Sequence, residues 1–220
     1  MERKIIITAD GSTTIHLPEW NEQYHSTHGA IQEAYHVFIK SGLSLFKNKE
    51  INILEIGFGT GLNCFITFLE LEKYNLKIDY TGVEAYPIST EEVEALNYIS
   101  ELKTEGETSL FKEMHDISWD ERHNIRKNFH LTKQQKFFKD IDDKNTFDLI
   151  YFDAFGARVQ PELWTEEIFK KMYIALKQGG VLVTYSAKGS VRRAMQAVGF
   201  MVERLEGPPG KREMLRAIKK

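Results

Sequence analysis

The residues best able to do chemistry begin at Leu54-Glu55-Ile56-Gly57-Phe58-Gly59-Thr60-Gly61, where a carboxylate precedes three glycines at alternate positions. The apolar run before the glycines predicts a strand, and the run after them a helix. Gly57 lets the chain turn sharply out of the strand, and Gly59 and Gly61 let a ligand approach the backbone. A dinucleotide fingerprint spaces its glycines G-x-G-x-x-G and offers a helix N-terminus to a pyrophosphate. Here the spacing is G-x-G-x-G and an acid, Glu55, enters the loop. S-adenosyl-L-methionine (SAM) suits that difference, because it has no phosphate and its ammonium group needs an acceptor. Glu84 closes the next apolar run, 27 positions after Gly57. A carboxylate there accepts hydrogen bonds from both ribose hydroxyls. A nucleotide loop of another type, or glycines kept for packing, is the competing reading of the same residues.

Asp153 ends the run Phe147-Asp148-Leu149-Ile150-Tyr151-Phe152, which is too apolar for a stray charge. A carboxylate at such a strand end faces the crevice where open α/β sheets bind ligands. Its bland alternative is a cap for the turn at Ala154-Phe155-Gly156. Methyl transfer from a sulfonium is an in-line displacement, so its main demand is the placement of a neutral nucleophile. An amine is mostly protonated near neutral pH, and a nearby carboxylate orients it and takes its proton. Tyr151, Phe155 and Trp164 are candidate walls around a planar base, and Tyr24 and Ser26 candidate residues of a substrate mouth.

The remaining reactive side chains carry less. His25, His28, His36, His115, His123 and His130 join no carboxylate at metal-ligand spacing, so no metal is expected. Cys64 follows the glycine loop, where a thiol pKa can fall, but a buried packing role is the expectation. One Cys in 220 residues excludes a disulfide framework. With 42% hydrophobic and 28% charged residues, the composition is that of a globular chain. No apolar run has the length of a signal-peptide core or a membrane span. The expectation is a cytoplasmic protein without membrane contact.

The formal net charge of −3 hides an uneven distribution. Residues 186–220 hold nine bases and three acids, a net of +6, which leaves −9 on the first 185 residues. Such a cluster reads as a polyanion-facing edge or as a solvated face. Arg192 and Arg193 are adjacent, so on a helix they point about 100° apart. Lys211 and Arg212 follow Gly207-Pro208-Pro209-Gly210, where they are placed to meet a phosphate backbone.

The elements that position these groups follow from periodicity. Asp10-Gly11 between two apolar runs predicts a hairpin over 2–17, and helical spacing runs over 28–45. Strands are predicted at 51–56, 78–84, 129–131, 147–152, 181–185, 200–205 and 214–218. Helices are predicted from the glycine loop to about 74 and over 89–102, 163–175 and 191–198, with a turn at Gly179-Gly180. Residues 103–128 resist assignment. Strands alternating with helices, then a terminal strand pair, predict a doubly wound α/β sheet, mostly parallel with an antiparallel C-terminal edge strand. The chain reads as one domain over 1–220, with an N-terminal β-ribbon and helix extension (1–46) and a cofactor-binding core (47–220).

Several blocks taken together resemble the methyltransferase domain of the MnmC family. They are Leu54-Glu55-Ile56-Gly57-Phe58-Gly59-Thr60-Gly61-Leu62-Asn63, Tyr151-Phe152-Asp153-Ala154-Phe155 with Pro161-Glu162-Leu163-Trp164, Ser186-Ala187 with Val191-Arg192-Arg193, and Lys211-Arg212-Glu213-Met214-Leu215. The resemblance implies a class I (Rossmann-like) SAM-dependent methyltransferase acting on the tRNA anticodon stem-loop. Its substrate would be the amine of 5-aminomethyl-2-thiouridine at the wobble position, and its products 5-methylaminomethyl-2-thiouridine and S-adenosyl-L-homocysteine. Gly57, Gly59 and Gly61 carry over as the SAM loop, Glu84 as the ribose ligand and Asp153 as the acid beside the amine. Two departures stand out. Bifunctional members continue into a flavin-dependent oxidase domain, for which 220 residues leave no room. No flavin is therefore expected, and a separate enzyme upstream must form the aminomethyl group. The family's acid near the adenine also has no counterpart here, where only Thr132 or Lys133 is available. The rival readings are a transferase for a free small amine, methyl- or aminopropyl-, and a silent RNA-binding module.

Overall fold

The structure, a computed structural model, describes residues 2–220. Strands β1 (Lys4–Ile7), β2 (Thr13–Leu17) and β3 (Glu22–Gln23) form a small antiparallel sheet in sequence order. The predicted hairpin is present, with Ile7 opposite Thr13 across the Asp10-Gly11 turn. Asp10 holds that turn by accepting from Ser12 N and from the Ser12 and Thr8 hydroxyls. Helix α1 (Ala30–Ala34) runs on into a π-helical turn, Tyr35–Lys40, instead of one regular helix.

The core is an eight-stranded sheet in the order β10-β11-β9-β8-β4-β5-β7-β6. Its central strands are β4 (Lys49–Ile56) and β8 (Phe147–Phe152), joined in parallel. From Ile51 on in β4 and throughout β8 nearly every residue is buried, which explains why these stretches are apolar runs without alternation. Successive residues feed two cores. Ile53 and Tyr151 pack with Phe65 and Tyr80 on one face, while Leu54 and Ile150 pack with Trp164 and Phe169 on the other. From β4 the chain passes through α2 (Leu62–Glu70) to β5 (Leu76–Val83) on one side. It later returns to β8 on the other side of β4, so β4 and β8 flank the topological switch point. Ligands of such sheets bind there, beyond the strands' carboxyl ends.

The stretch predicted as one helix over 89–102 is two short ones, α3 (Thr90–Glu94) and α4 (Tyr98–Glu101). Ser89 and Glu92 make a capping box at the first. The break falls at Asn97, whose side chain leaves the helix to bond Thr13 N (2.8 Å) and Gly11 O (2.9 Å) in the hairpin. The unassigned segment contains α5 (Thr108–Asp116) and β6 (Arg122–Arg126), which is antiparallel to β7 (Phe129–Gln134).

After α6 (Glu166–Ala175), β9 (Leu176–Thr184) begins five residues earlier than predicted. Gly179 and Gly180 lie in a bulge, because Phe147 pairs with Leu176 while Leu149 pairs with Val181. Helix α7 (Gly189–Ala197) leads to β10 (Phe200–Glu206) and β11 (Glu213–Lys219). The C-terminal strand is antiparallel to both β9 and β10, and it lies between them, one place in from the edge.

The hairpin between β10 and β11 is docked on the N-terminal extension. His36 Nε2 meets Glu206 O at 2.8 Å, Lys211 pairs with Glu33, and Arg216 reaches Ser41 O at 3.4 Å. A further pin joins β3 to the loop after β8, where Arg158 donates to Asn21 O and Glu22, each at 2.9 Å.

Candidate active site

A cavity of about 1070 Å³ opens at the switch point. Its floor is the loop after β4 (Gly57, Phe58, Gly59, Thr60), with Asn63 from the first turn of α2 and Asp153 from the end of β8. Glu84 and Tyr86 after β5, with Phe137, form one wall; Phe155, Leu163 and Ile168 form another. Trp20, Tyr24 and His25 of the extension complete it. The loop's shape depends on glycine: Gly57 has φ 88° and Gly59 φ 50°, and a Cβ on Gly57 would lie 2.8 Å from Asp153 O. Gly61, φ 71°, caps α2.

Asp153 is held by Asn63, whose Nδ2 donates to its Oδ2 at 2.9 Å. Burial, reinforced by the charge of Glu33, raises the Asp153 carboxyl to about 7, against the opposing pull of the Asn63 bond and Lys211. The same Nδ2 donates to Glu55 Oε1 at 2.9 Å, and Tyr80 OH donates to Glu55 Oε2 at 2.9 Å. Glu55 is fully buried, and burial pushes its carboxyl well above the usual range. The expectation that Glu55 meets a ligand is therefore corrected. It lies inside the sheet beneath the cavity floor, with both oxygens occupied by core partners.

Glu84 Oε2 accepts from Gly59 N at 3.1 Å and its Oε1 from Tyr86 N at 2.9 Å, which ties the two loops together. Tyr24 and Phe155 meet edge to face at 5.0 Å, and Trp20 stands edge-on to Phe155 at 5.8 Å. His25 is anchored to Thr14 (3.0 Å) and Thr60 (3.4 Å), and burial lowers its pKa to about 4, so it is neutral. Arg3 crosses from the extension to Tyr86 O (2.7 Å) and Glu92 (3.1 Å). The cavity's charged lining is Glu84, Glu92, Asp153, Glu162 and Glu167 against Arg3 and Lys139. Such a surface favours cations and repels phosphates.

Of the residues singled out from sequence, Tyr24, Gly57, Gly59, Glu84, Asp153 and Phe155 share this cavity. The four cations do not line it. Arg192 is half-buried on α7, while Arg193 and Arg212 are exposed. Lys211 corrects its expectation: its ammonium pairs with Glu33 and sits 4.0 Å from the centre of the Tyr185 ring, so it is spent on internal contacts. Lys133 is also redirected. It is fully buried, donates to His115 O and lies over the Trp119 ring at 4.8 Å. It faces a separate cavity of about 320 Å³ that shares only Phe58 and Gly59 with the main one. Asn63, Arg3, Trp20 and His25 were not given roles from sequence. Asn63 lay inside the recognised block, but only the fold brings its amide between two carboxyls. Among the described residues, no three His, Cys, Asp or Glu side chains are grouped to hold a metal ion, and no helix is long and apolar enough to cross a membrane.

A doubly wound sheet with a glycine loop after its central strand and acids after the two neighbouring strands defines a class I methyltransferase fold. The chain belongs to the S-adenosyl-L-methionine-dependent methyltransferase family, which residues 97–220 match. It is similar to the tRNA 5-methylaminomethyl-2-thiouridine biosynthesis bifunctional protein MnmC of Actinobacillus pleuropneumoniae, with 28% identity over 90% of this chain and 32% of that protein. The chain thus spans about a third of the length of such relatives. Among solved structures it resembles MnmC2 from Aquifex aeolicus, with TM-score 0.79 and 24% identity over 100% of this chain and 70% of that one. Spermidine synthase from Thermotoga maritima shares the fold more distantly, with TM-score 0.56 and 17% identity over 99% and 68% of the two chains.

Proposed function

We propose that the protein transfers a methyl group from SAM to the amine of 5-aminomethyl-2-thiouridine at the tRNA wobble position, giving 5-methylaminomethyl-2-thiouridine. The observation that carries this reading is Asp153, held by Asn63 on the floor of an acid-lined cavity, where burial raises its carboxyl. The similarity to MnmC supplies the substrate class.

The residues present fit SAM. The acidic lining suits its two cationic groups, the Gly57 and Gly59 backbone lines the cavity, and Glu84 stands just beyond the end of β5. When bound, SAM supplies an electrophilic methyl on a sulfonium and leaves as S-adenosyl-L-homocysteine. Glu84 would hold the ribose, and Tyr86 and Phe137 would flank the adenine, a role that Lys133 cannot take from its buried position. Asp153, ionised above pH 7, takes the proton from the substrate ammonium and exposes its lone pair for attack. Trp20, Tyr24 and Phe155 form an aromatic surface for a base that has left its stack, as chemistry on a base requires. Within this proposal residues 1–46 act with 47–220 as one catalytic unit, working in the cytoplasm without flavin or metal. Formation of the aminomethyl group is assigned to another active site.

The test is transfer of labelled methyl from SAM to tRNA that carries the unmethylated aminomethyl uridine, followed by nucleoside analysis. Label at the wobble nucleoside is expected. Label absent from RNA but present on a free polyamine or another small amine would overturn the tRNA assignment in favour of the small-amine transferase.

A further inference from the structure

The carboxylate assigned to the chemistry lies just past the end of its strand. The β4–β8 ladder closes at Ile56 and Phe152, and the β8–β9 ladder at Tyr151 and Val183. Asp153 keeps one backbone bond beyond them, from its N to Ile56 O at 2.9 Å. The next two carbonyls take side-chain donors where a sheet would supply backbone ones. Tyr185 OH donates to Ala154 O at 2.8 Å, and Trp164 Nε1 donates to Phe155 O at 2.7 Å. Tyr185 is the first residue after β9, and the β8–β9 register continued by two places sets it beside Asp153. Its ring stands edge-on to Trp164 at 5.9 Å. The Lys211 ammonium lies 4.0 Å from the ring centre and is itself anchored by Glu33, which accepts from Ser26 N at 2.9 Å. Burial, reinforced by the charges of Asp153 and Glu33, holds the Tyr185 hydroxyl well above its usual pKa, so it stays a donor. Tyr185 does not line the cavity, so any part it has in the reaction runs through the loop it holds.

We propose that Tyr185 is the positioning residue for Asp153: its hydroxyl fixes the peptide after the reacting carboxylate, and so the angle at which that carboxylate meets the acceptor amine. This rests on the reading of Asp153 as the proton acceptor and deepens it. An in-line displacement tolerates little error in the placement of its nucleophile. A carboxylate that orients the amine passes on any error in its own backbone. Asn63 secures one oxygen of the Asp153 side chain, and Tyr185 secures the main chain beside it. From Ala154 to Gln160 the chain has neither strand nor helix to hold it. Without the hydroxyl, the Ala154 peptide is free to rotate, and Phe155 of the cavity wall moves with it. Lys211 and Glu33 extend the brace to the β10–β11 hairpin and to α1, so the reacting carboxylate is referenced to three parts of the fold.

The test is a double-mutant cycle in kcat. Methyl transfer to tRNA carrying the aminomethyl uridine is measured for the unaltered protein, Tyr185→Phe, Asp153→Asn and the double variant. KM for tRNA and the dissociation constant of S-adenosyl-L-homocysteine are measured alongside. Tyr185→Phe removes the hydroxyl and keeps the ring against Trp164 and Lys211. The expected result is a kcat about ten- to a hundredfold lower, with KM and S-adenosyl-L-homocysteine binding within about twofold. In the Asp153→Asn background the same change should cost less than about twofold, because a residue that acts through Asp153 has nothing left to position. Equal losses in the two backgrounds would overturn the proposal and leave Tyr185 an independent brace. An unchanged kcat in Tyr185→Phe, a loss carried by KM alone, or lost S-adenosyl-L-homocysteine binding would each overturn it too. If the unaltered protein transfers no methyl to this tRNA, the reading of Asp153 falls and takes the proposal with it.

Discussion

In the proposed reaction, Asp153 sits where two requirements conflict. Its carboxyl must be desolvated enough to hold a proton near neutrality, yet it must be ionised to accept one from an ammonium. Burial satisfies the first by raising the group to about 7, and the Asn63 bond limits the rise. The sign of the pH dependence follows. Below pH 7 the carboxyl is protonated and cannot take the amine's proton, so the methylation rate falls as pH drops through 7. Above pH 7 that limit disappears. The expected kcat/KM profile rises across roughly pH 6–8 and reports a group near 7 in the free enzyme. Asp153→Asn should lower kcat by at least about a hundredfold and remove that rise, while S-adenosyl-L-homocysteine still binds. A variant that keeps the rise would assign it to another group. The same carboxyl also affects stability. Its folded-state pKa is raised, so its ionisation destabilises the fold as pH increases from the unfolded value near 4 through 7.

The β10–β11 hairpin is held down by side chains whose charge suggested another use. In sequence, Lys211 and Arg212 look alike, two adjacent bases after a Pro-Pro-Gly turn. In the fold they diverge, although both lie in the turn between β10 and β11. Lys211 turns inward onto Glu33 and Tyr185, and Arg212 stays exposed. Lys211→Ala should therefore destabilise the protein by roughly 1–3 kcal/mol, since it leaves the nearly buried Glu33 without its cation, with only Ser26 N still donating to it. Denaturant melts measure this, and a loss below about 0.5 kcal/mol would mean that the pair contributes little. Arg212→Ala should leave the melt unchanged. The contrast marks what the sequence could express. The β4–glycine loop–α2 unit and the β8–Asp153 unit were legible because each is a local pattern, an apolar run closed by a special residue. The role of Asn63, the inward turn of Lys211 and the enclosure of the cavity by Trp20, Tyr24 and His25 depend on contacts between residues far apart in the chain. The Asn97 break in the predicted 89–102 helix was hidden for the same reason, since its partners are Gly11 and Thr13.

Across the whole molecule, the basic C-terminal sixth keeps nearly all of its net of +6. Two of its three ion pairs use acids already counted in that net, and only Lys211 pairs outside it, with Glu33. Arg204 pairs with Glu213, Arg216 with Glu203 and Lys211 with Glu33, so three of its nine bases are neutralised by carboxylates. Lys188, Arg193 and Arg212 remain exposed, with no side-chain ion pair among the described residues. Topology places all three at one end of the sheet. Lys188 and Arg193 follow the carboxyl end of β9. Arg212 follows the carboxyl end of β10, which runs parallel to β9 because β11 is antiparallel to both. The cavity opens at that same end, beyond β4, β5 and β8. A tRNA whose wobble base enters the acidic cavity would thus meet positive charge beside the opening. On the proposed function, this division of charge would let one protein bind a polyanion while keeping a site for cations. The test is the salt dependence of tRNA binding, measured without SAM so that chemistry plays no part. The logarithm of the binding constant should fall linearly with the logarithm of salt concentration. Each phosphate contact contributes about 0.7–0.9 to the slope. Replacing Lys188, Arg193 and Arg212 by Ala together should reduce the slope by about 2–3, with thermal stability unchanged. An unchanged slope would move the RNA to another face. The cavity would then keep its chemistry, and its amine would have to arrive by a route that these three bases do not line.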